Sequence, residues 1–530
     1  MTEPFNAAAY LTEHRVTAGD GDRIALRHPR GTTTYSELTE EVRRVAAGLV
    51  AIGVRPEERV LLCMVDDVEL VTGILAAMYV GAVAVPSSTM LTGPELRKLV
   101  VDSRARVLLG STEYATAVTA AADAPDLRHL VLTGDTAPQV PGVTGLTWAE
   151  LRTSGAAERP YATWDESPAL WLYTSGTTGT PKGAMHRHVD IRFVCETYSS
   201  AVLGVGPDDV CLSAAKLFFA YGIGNSLFFP LSVGASAVLE PNRPNPTRFG
   251  ELTAEHGVTL FFGGPSFWGP LMAADLPRET FATVRNGVSA GEALPARMFH
   301  GVAEQYGFEI LDGIGSTEAL HIFISNTSGA VVPGSSGFPV PGYRVELRRA
   351  DGTVITGADE PGMLYVSGES VCTGYWCRTE VNRTVFQGEW MRTGDQYVRG
   401  ADGSYTCLGR ADDVLKVGGI WVSPTEVETR LLEHPDVAEA VVIGVPDADG
   451  LDKPVAYLVP APGTHVDAEE IIAFCRAGLA SFKRPRTVVE VSELPRTATG
   501  KIQRYRLREL ASTTVVPAPS APSDVAEAQA

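Results

Sequence analysis

The densest group of residues that could do chemistry is the run at 173–183, Tyr-Thr-Ser-Gly-Thr-Thr-Gly-Thr-Pro-Lys-Gly, which follows an apolar stretch at 169–173. Its glycines let backbone N–H groups approach an anion, its hydroxyls add donors, and Lys182 adds a compact positive charge. This run, the phosphate loop, predicts phosphate binding. Because Pro181 precedes Lys182 and Gly183 follows it, the run is not a Walker A loop, which argues against a P-loop kinase or GTPase.

A second polar group, Asp-Gly-Ile-Gly-Ser-Thr-Glu at 312–318, directly follows a predicted strand at 309–311. Such a position puts hydroxyls and a carboxylate at the carboxyl edge of a sheet, where α/β ligand sites form. Glu318 could hold Mg²⁺, which is usually bound by one or two carboxylates together with substrate phosphates. The motif alone equally fits a helix N-terminus at which Glu318 complements the helix dipole.

Three shorter motifs follow: Thr-Gly-Asp at 393–395, Gly-Arg at 409–410 and Thr-Gly-Lys at 499–501. Asp395 could accept hydrogen bonds from ribose hydroxyls, and Arg410 could anchor a sugar or a phosphate. Isolated Gly-Asp and Gly-Arg pairs are also ordinary turn chemistry. Lys501, taken alone, is more typical of a solvated surface charge.

The elements that must position these residues have an α/β rhythm from about residue 33 to 345. Short apolar runs alternate with amphipathic stretches, which predicts largely parallel sheets covered by helices. Between about 331 and 410 the pattern changes to strands with Gly and Pro turns, such as 343–347 and 362–366, and predicts a β-rich subdomain. The predicted strands before it are 59–64, 82–85, 107–109, 129–132, 169–173, 236–239, 260–263 and 309–311, and the predicted helices are 37–52 and 69–79.

A smaller α+β domain is predicted from residue 412. Its elements are a helix at 424–433 introduced by Ser423, strands at 437–444 and 454–459, a helix at 468–479 and a strand at 487–491. The end of the chain is rich in Ala, Pro and Ser without periodicity, which is typical of disorder. We therefore predict a large N-terminal domain at 1–411, a C-terminal domain at 412–510 and a disordered tail at 511–530.

Composition excludes several classes of function. A formal net charge of -19 and a pI near 5.0 argue against binding to nucleic acid or to a membrane surface. Seven cysteines without a Cys-x-x-Cys pair suggest neither a disulfide framework nor a zinc site and fit a reducing cytoplasm. The first 20 residues do not have the pattern of a signal peptide, and the apolar stretch at 70–86 predicts a core helix running into a buried strand.

Taken in order, these motifs resemble those of the adenylate-forming superfamily, which comprises acyl-CoA synthetases, peptide-synthetase adenylation domains and luciferases. The resemblance covers residues 35–508 and includes the phosphate loop and the Gly-Ser-Thr-Glu, Thr-Gly-Asp, Gly-Arg-x-Asp and Thr-Gly-Lys motifs. Within the superfamily, Ala-Lys-Leu-Phe-Phe-Ala-Tyr-Gly at 215–222 and Gly-Ser-Thr-Glu-Ala-Leu-His-Ile-Phe at 315–323 are most similar to benzoate-CoA ligases. Many relatives have a histidine in place of Phe218 and an aromatic residue in place of Ile314.

The resemblance implies that ATP converts benzoate or a substituted benzoate to an acyl-adenylate, whose acyl group passes to the thiol of coenzyme A. ATP, Mg²⁺ and coenzyme A are the implied cofactors, and pyrophosphate and AMP are released. The alternative is an aryl acid ligase that loads a separate carrier protein, since the chain has no Gly-Gly-x-Ser carrier motif. The resemblance is compatible with both a monomer and a homodimer. A nucleotide sensor without catalysis would predict a damaged site, whereas the motif residues are all present.

The resemblance also implies roles for individual residues. The phosphate loop holds the β and γ phosphates, Thr317 the α phosphate and Glu318 the Mg²⁺, and Lys501 is the catalytic residue that bridges the attacking carboxylate and the α phosphate. Residues 291–293 line the adenine, and Asp395 and Arg410 bind the ribose. The implied ATP-binding residues are Thr174, Ser175, Gly176, Thr177, Thr178, Gly179, Lys182, Gly291, Glu292, Ala293, Asp312, Gly313, Ile314, Gly315, Thr317, Asp395, Arg410 and Lys501.

The acyl pocket and the second half-reaction are implied in the same way. Aromatic walls with a small floor suit a flat ring, and His321 would either hydrogen-bond a ring substituent or close the pocket. Asp412 matches the hinge about which a mobile C-terminal domain rotates, which brings Gly418, Gly419 and Trp421 to the coenzyme A tunnel. The implied pocket residues are Phe219, Ala220, Tyr221, Val288, Gly291, Gly313, His321 and Ile322.

Overall fold

The structure is a computed structural model that describes residues 4–175, 181–410, 413, 415–417, 420–446, 452–496 and 502–513. The chain divides into two compact units. Unit 1 comprises Met1–Glu346, Tyr365–Thr393 and Gly400–Thr406, and unit 2 comprises Leu347–Leu364, Gly394–Arg399 and Cys407–Ala530. Residues 411 and 412, and those after 513, lie outside the described residues, so the predicted domain limits and the tail stay predictions.

The strands and helices are numbered in chain order. The strands are β1 Ile24–His28, β2 Gly31–Thr34, β3 Arg59–Cys63, β4 Val83–Pro86, β5 Val107–Gly110, β6 His129–Leu132, β7 Thr144–Thr147, β8 Pro168–Ser175, β9 Pro181–Arg187, β10 Val210–Ser213, β11 Ser236–Val238, β12 Leu260–Gly263, β13 Asn286–Ser289, β14 Glu309–Gly315, β15 Ile322–Ser325, β16 Phe338–Pro339, β17 Arg344–Arg348, β18 Gly362–Ser367, β19 Phe386–Gln387, β20 Trp390–Arg399, β21 Tyr405–Arg410, β22 Leu415–Val417, β23 Ile420–Val422, β24 Val437–Pro446, β25 Asp452–Pro460 and β26 Thr487–Glu490. The α-helices are α1 Ala7–Leu11, α2 Glu13–Arg15, α3 Tyr35–Ala51, α4 Val68–Tyr79, α5 Gly93–Ser103, α6 Ala115–Ala121, α7 Trp148–Leu151, α8 His188–Val194, α9 Ala220–Ile223, α10 Phe229–Val233, α11 Pro246–His256, α12 Pro265–Ala273, α13 Ala296–Tyr306, α14 Thr379–Val385, α15 Pro424–Leu431, α16 Ala468–Arg476 and α17 Arg504–Thr513. Short π-helical segments occur at Val16–Asp20, Cys195–Val202 and Gly224–Phe228, and 3₁₀ turns at Thr112–Tyr114, Arg152–Ser154, Arg278–Phe281, Thr317–Ala319 and Ser481–Lys483.

Two large sheets form the framework of unit 1. One has nine strands in the order β16-β15-β14-β13-β12-β10-β11-β1-β2, and the other has seven in the order β7-β6-β5-β3-β4-β8-β9. The central strands of both run parallel, and antiparallel pairs occur only toward the edges, at β1–β2, β14–β15–β16 and β8–β9. The largely parallel α/β framework predicted from the sequence is thereby confirmed.

The cores explain why these strands could be recognised as apolar runs. Parallel strands covered by helices are buried on both faces, and so they read as continuous Val, Ile and Leu stretches. In the seven-stranded sheet, β5 is buried along its whole length, and Leu96, Leu99 and Val118 of α5 and α6 pack against it in one cluster with Leu108. In the nine-stranded sheet, an aromatic cluster surrounds Trp268, which is fully buried.

The β-rich stretch is also confirmed. A five-stranded sheet has the order β17-β18-β20-β19, with β21 paired to β20. In unit 2, β24, β25 and β26 form a three-stranded sheet, and β22 pairs with β23. Helix α15 begins after Ser423, whose Oγ accepts a hydrogen bond from the Glu426 N–H at 3.2 Å, as the sequence predicts.

No helix among the described residues is long and apolar enough to cross a membrane. The apolar stretch at 70–86 consists of most of α4 followed by β4, and its residues are buried. This confirms its prediction as a core helix that runs into a buried strand.

Candidate active site

The carboxyl end of β14 carries the predicted α-phosphate and magnesium residues. β13 lies beside β14 in parallel, with Ser289 opposite Asp312, so residues 291–293 and 313–318 leave neighbouring strands at the same edge of the sheet. Gly291 has a φ of +95°, and Glu292 after it is exposed. Two predicted parts of the nucleotide site are thus adjacent at the sheet edge where α/β ligand sites form.

Asp312 is buried within this edge. It is 5% exposed, and burial raises the pKa of its carboxyl well above the usual range. Burial therefore disfavours a negative charge at Asp312, beside the predicted phosphate positions.

Glu318 and Lys182 meet at one tyrosine that the sequence reasoning missed. The Tyr375 hydroxyl donates to Glu318 Oε1 at 2.6 Å, and Lys182 Nζ lies 5.2 Å from the centre of the Tyr375 ring. Tyr375 is 5% exposed. The predicted magnesium residue and the predicted lysine of the phosphate loop are thereby brought to a single side chain.

A buried histidine, also missed, holds the backbone of the same turn. His186 Nε2 is 2.8 Å from the carbonyl oxygen of Thr317, and its Nδ1 is 3.0 Å from Asp190 Oδ2. Both side chains are fully buried, and Arg187 Nε donates to the other oxygen of Asp190 at 3.0 Å. The carbonyl of Thr317 is therefore fixed from β9, the strand that also carries Lys182 of the phosphate loop.

The phosphate loop joins two antiparallel strands, β8 and β9. Tyr173 lies opposite Gly183, and Thr174 opposite Lys182, so the loop is closed at its base by backbone pairing. Thr174 and Ser175 end β8, whereas Gly176, Thr177, Thr178 and Gly179 lie outside the described residues.

A carboxylate on α5 ties the two ends of this loop together. Asp102 Oδ2 accepts a hydrogen bond from the Tyr173 hydroxyl at 2.8 Å, and Oδ1 accepts one from Arg378 Nη2 at 2.7 Å. The same Nη2 donates to the Pro181 carbonyl at 3.1 Å. We call Asp102, Tyr173 and Arg378 the Asp102 clamp, because they connect Tyr173, the first residue of the loop, to Pro181 near its end.

The predicted acyl pocket residues lie at the start of α9 and on or next to β13, β14 and β15. The Tyr221 hydroxyl donates to the carbonyl of Val288 at 2.9 Å and to that of Gly263 at 3.2 Å. Tyr221 also lies beside His321, with ring centres 5.5 Å apart. The structure thus brings three predicted pocket elements together around one aromatic wall.

Close backbone approach explains the glycine at position 313. A Cβ at Gly313 would lie 2.7 Å from the carbonyl oxygen of Ile324 on the paired strand. Val288 and Ile322 are buried, Ala220 is 8% exposed, and the Phe218 and Phe219 rings are 4.4 Å apart.

His321 is held in one orientation and one tautomer. Its Nε2 faces two acceptors, Asn225 Oδ1 at 3.1 Å and the Tyr221 carbonyl at 3.4 Å, while Asn225 Nδ2 donates to Ser213 Oγ at 3.3 Å. Burial lowers the pKa of His321 to about 3, so the ring is neutral and carries its proton on Nε2. Nδ1 is buried and has no hydrogen-bond partner among the described residues.

Lys216, the lysine of the motif at 215–222, is a structural residue. Its Nζ donates to the carbonyls of Glu240 and Asn242. Asp66 accepts a hydrogen bond from the Leu217 N–H at 3.0 Å and attracts Lys216 electrostatically. The two side chains fix the backbone that leads into Phe218 and Phe219.

The predicted ribose residues lie in unit 2. Asp395 Oδ1 accepts a hydrogen bond from Arg410 Nη1 at 3.0 Å, and the Arg410 side chain is 50% exposed. Gly394 has a φ of +82°, and a Cβ there would lie 2.8 Å from Arg410 Nη2. The pair is therefore formed within unit 2 itself.

Several predictions fall outside the described residues. These are the catalytic residue Lys501, the hinge residue Asp412, and Gly418 and Gly419 of the coenzyme A tunnel. Trp421 lies on β23, and its side chain is outside the description. All of them stay predictions.

Comparison with known proteins agrees with this geometry. Residues 13–376 match the model of the AMP-binding enzyme family, and residues 426–501 match that of the AMP-binding enzyme C-terminal domain. The chain is 41% identical to benzoate-CoA ligase of Thauera aromatica over 96% of each chain. It is 40% identical to 4-hydroxybenzoate-CoA/benzoate-CoA ligase of Rhodopseudomonas palustris, over 98% of this chain and 97% of that one. A solved benzoate CoA ligase from Burkholderia xenovorans superposes with a TM-score of 0.86 at 41% identity, covering 95% of this chain and 100% of that one.

Proposed function

The chain belongs to the AMP-binding enzyme family, and from this premise we propose that it is an AMP-forming aryl-CoA ligase for benzoate or a substituted benzoate. It joins the acid to ATP with release of pyrophosphate, and it then passes the acyl group from AMP to the thiol of coenzyme A. The first step is needed because a carboxylate has a poor leaving group, whereas a mixed anhydride with AMP releases AMP readily.

One observation carries the choice of an aromatic acid. The Tyr221 ring is anchored through its hydroxyl to the carbonyls of Val288 and Gly263, and it lies against the buried ring of His321. Because both rings are fixed, the aromatic wall suits a flat ring better than a flexible alkyl chain. The two benzoate-type relatives support the same substrate class.

We propose the following roles for the residues of the ATP site. The phosphate loop with Lys182 binds the β and γ phosphates and supports the leaving pyrophosphate, and Thr317 contacts the α phosphate. Residues 291–293 line the adenine, and Asp395 and Arg410 bind the ribose. Lys501 neutralises the two anions that approach each other, and one such contact is typically worth about 3 kcal/mol of transition-state stabilisation.

Glu318 suits Mg²⁺. Its Oε1 is engaged by Tyr375, and its Oε2 has no hydrogen-bond partner among the described residues. A single carboxylate with one unpaired oxygen, next to a phosphate site, is the donor set that Mg²⁺ commonly uses together with substrate phosphates. When bound, the ion would reduce the negative charge of the triphosphate.

For the second half-reaction we propose that the chain turns about Asp412 and brings Gly418, Gly419 and Trp421 to the coenzyme A tunnel. A carrier protein as the thiol acceptor is not favoured, since the full-length relatives are CoA ligases. The seven cysteines without a Cys-x-x-Cys pair fit a reducing compartment, and we propose that the reaction takes place in the cytoplasm.

The test is an ATP–pyrophosphate exchange panel over benzoate, hydroxybenzoates, aminobenzoates, cinnamates and fatty acids, followed by thioester assays with coenzyme A and with carrier proteins. We expect the highest exchange with benzoate or a small substituted benzoate, and thioester only with coenzyme A. Highest exchange with a fatty acid would refute the aryl assignment, and efficient carrier loading would refute the acceptor.

A further inference from the structure

We propose that Tyr375 is a positioning residue for ATP activation, which holds Glu318 for the magnesium ion through its hydroxyl and Lys182 for the phosphates through its ring. The inference rests on the proposed roles of those two residues. Nothing in the local sequence around Gly374 and Tyr375 assigns such a role.

The two contacts use different parts of the tyrosine. The hydroxyl donates to Glu318 Oε1 at 2.6 Å, a short bond between a hydroxyl and a carboxylate. The ring lies under Lys182, whose Nζ is 5.2 Å from the ring centre, within the range of a cation–π interaction. A ring face attracts an ammonium group without accepting a conventional hydrogen bond, so the donors of Lys182 stay available for a ligand.

The hydroxyl is not needed to attach its segment to the rest of unit 1. The backbone does this already, because the Cys372 N–H donates to the Glu318 carbonyl at 2.8 Å and the Met185 N–H donates to the Gly374 carbonyl at 3.0 Å. Asn382 fixes Tyr375 through bonds to its N–H and its carbonyl, at 2.8 and 2.9 Å. The hydrogen bond from the Tyr375 hydroxyl to Glu318 is therefore not required to hold this segment in place. This points to a role of the bond in the candidate active site.

The consequence for Glu318 is orientation. A carboxylate on a short 3₁₀ turn can rotate, and the Tyr375 hydroxyl holds one oxygen and leaves the other for the ion. Groups that orient metal ligands in this way typically change metal affinity or activity by about 10- to 100-fold when they are removed. The ring acts separately, since it limits where the Lys182 ammonium can lie.

The test separates the hydroxyl from the ring by measuring ligand binding rather than turnover. Tyr375→Phe keeps the ring and removes the hydroxyl. We would titrate this variant with ATP by isothermal calorimetry at a series of Mg²⁺ concentrations. The Mg²⁺ concentration that gives half-maximal enhancement of ATP binding should be at least about tenfold higher than for the wild type. Binding of AMP without Mg²⁺ should stay within about twofold of the wild type.

Tyr306→Phe is the matched control. The Tyr306 hydroxyl donates to the Leu271 carbonyl at 2.6 Å in a buried part of the aromatic core cluster. This substitution deletes a tyrosine hydroxyl with the same bond length, and we expect it to leave the Mg²⁺ requirement unchanged. A second variant, Tyr375→Leu, also removes the ring, and ATP affinity without Mg²⁺ should fall by a further factor of about 2 to 5.

The Glu318→Gln variant distinguishes two outcomes: that the inference about Tyr375 is wrong, or that the proposed magnesium site at Glu318 is wrong. If Glu318→Gln raises the Mg²⁺ requirement and Tyr375→Phe does not, Tyr375 does not position Glu318 and the inference is overturned. If neither variant raises it, the magnesium role of Glu318 fails and takes the inference with it. An equal loss of AMP and Mg²⁺-ATP binding in Tyr375→Phe would show a purely structural hydroxyl and would also overturn the inference.

Discussion

Removing the carboxylate of Asp102 should weaken ATP binding, because the Asp102 clamp connects the two ends of the phosphate loop. Asp102 accepts a hydrogen bond from Tyr173 at the start of the loop, and Arg378, which Asp102 also binds, donates to the Pro181 carbonyl near the end of the loop. Asp102→Ala removes both bonds of the carboxylate. Asp102→Asn keeps the shape of the side chain and removes its charge.

The expected magnitude has two parts. Each hydrogen bond to a charged group contributes roughly 1.5 to 3 kcal/mol. Since the side chains of Asp102 and Arg378 are 26% and 22% exposed, water weakens these bonds, and we expect Asp102→Ala to lower the free energy of unfolding by about 2 to 3 kcal/mol. If ATP binding must then re-order one residue at each end of the loop, the cost is about 2 to 4 kcal/mol. The Kd for ATP should therefore rise at least about 30-fold, and less in Asp102→Asn.

The assay compares ligands and a second aspartate. Calorimetry should give the raised Kd for ATP and a nearly unchanged Kd for AMP, because the loop is proposed to contact only the β and γ phosphates. Asp209→Ala is the control: Asp209 accepts from the Thr259 hydroxyl at 2.6 Å and from the Arg285 guanidinium at 3.0 and 2.9 Å. It loses the same two kinds of partner and also the Gly206 N–H, which donates to Oδ2 at 2.9 Å, so we expect a loss of stability at least as large with unchanged ATP binding.

Two results would refute the reasoning about the clamp. A Kd for ATP within about threefold of the wild type, together with the expected loss of stability, would show that the Asp102 clamp supports only the fold. Equal weakening of ATP and AMP binding would show general damage to the site rather than a change at the phosphate loop.

Three further predictions concern other parts of the reaction and the fold. Lys501→Ala should lose carboxylate-dependent ATP–pyrophosphate exchange by about 10²- to 10³-fold, yet keep much of the thioester formation from supplied acyl-adenylate; equal loss of both would contradict its role. Asp412→Pro, which fixes φ, should spare exchange and block acyl-CoA formation, and normal acyl-CoA synthesis would make Asp412 an ordinary linker residue. Burial raises the pKa of Asp66 to about 6, so its contribution to stability is present below pH 3.8 and is lost as the pH rises through 6. Urea unfolding across that window should show up to about 3 kcal/mol of pH dependence in the wild type that Asp66→Asn lacks.

The framework could be predicted because its signals are local. β6 and β12 have the bounds read from the sequence, and β14 begins at the predicted Glu309, since a strand buried on both faces is a short apolar run whatever its neighbours are. The sequence also placed Glu318 after a strand, which follows from the order of residues alone. The position of each strand in its sheet is set by pairing between segments that are distant in the chain. A local sequence pattern therefore does not predict the strand order.

The residues that arrange the site could not be predicted for the same reason. Tyr375 contacts a carboxylate 57 residues away in the chain, His186 bonds a carbonyl 131 residues away, and Asp102 accepts from a hydroxyl 71 residues away. Each is a common residue type whose function depends only on what the fold brings to it. Sequence motifs identify the groups that would contact a ligand. The residues that hold those groups in place are identified only from the contacts in the folded structure.

His321 shows how structure narrows a choice that the sequence left open. Its type allowed a hydrogen bond to a ring substituent or simple closure of the pocket, and an imidazole can donate or accept. Asn225 and the Tyr221 carbonyl both require a proton on Nε2, and the lowered pKa of the buried ring removes the second proton. The ring packs against Tyr198, Tyr221 and Phe229, and Nδ1, which has no hydrogen-bond partner among the described residues, is an acceptor. Any contact between His321 and an aryl acid must then be one in which the acid donates, because a second acceptor facing Nδ1 would leave two buried lone pairs opposed.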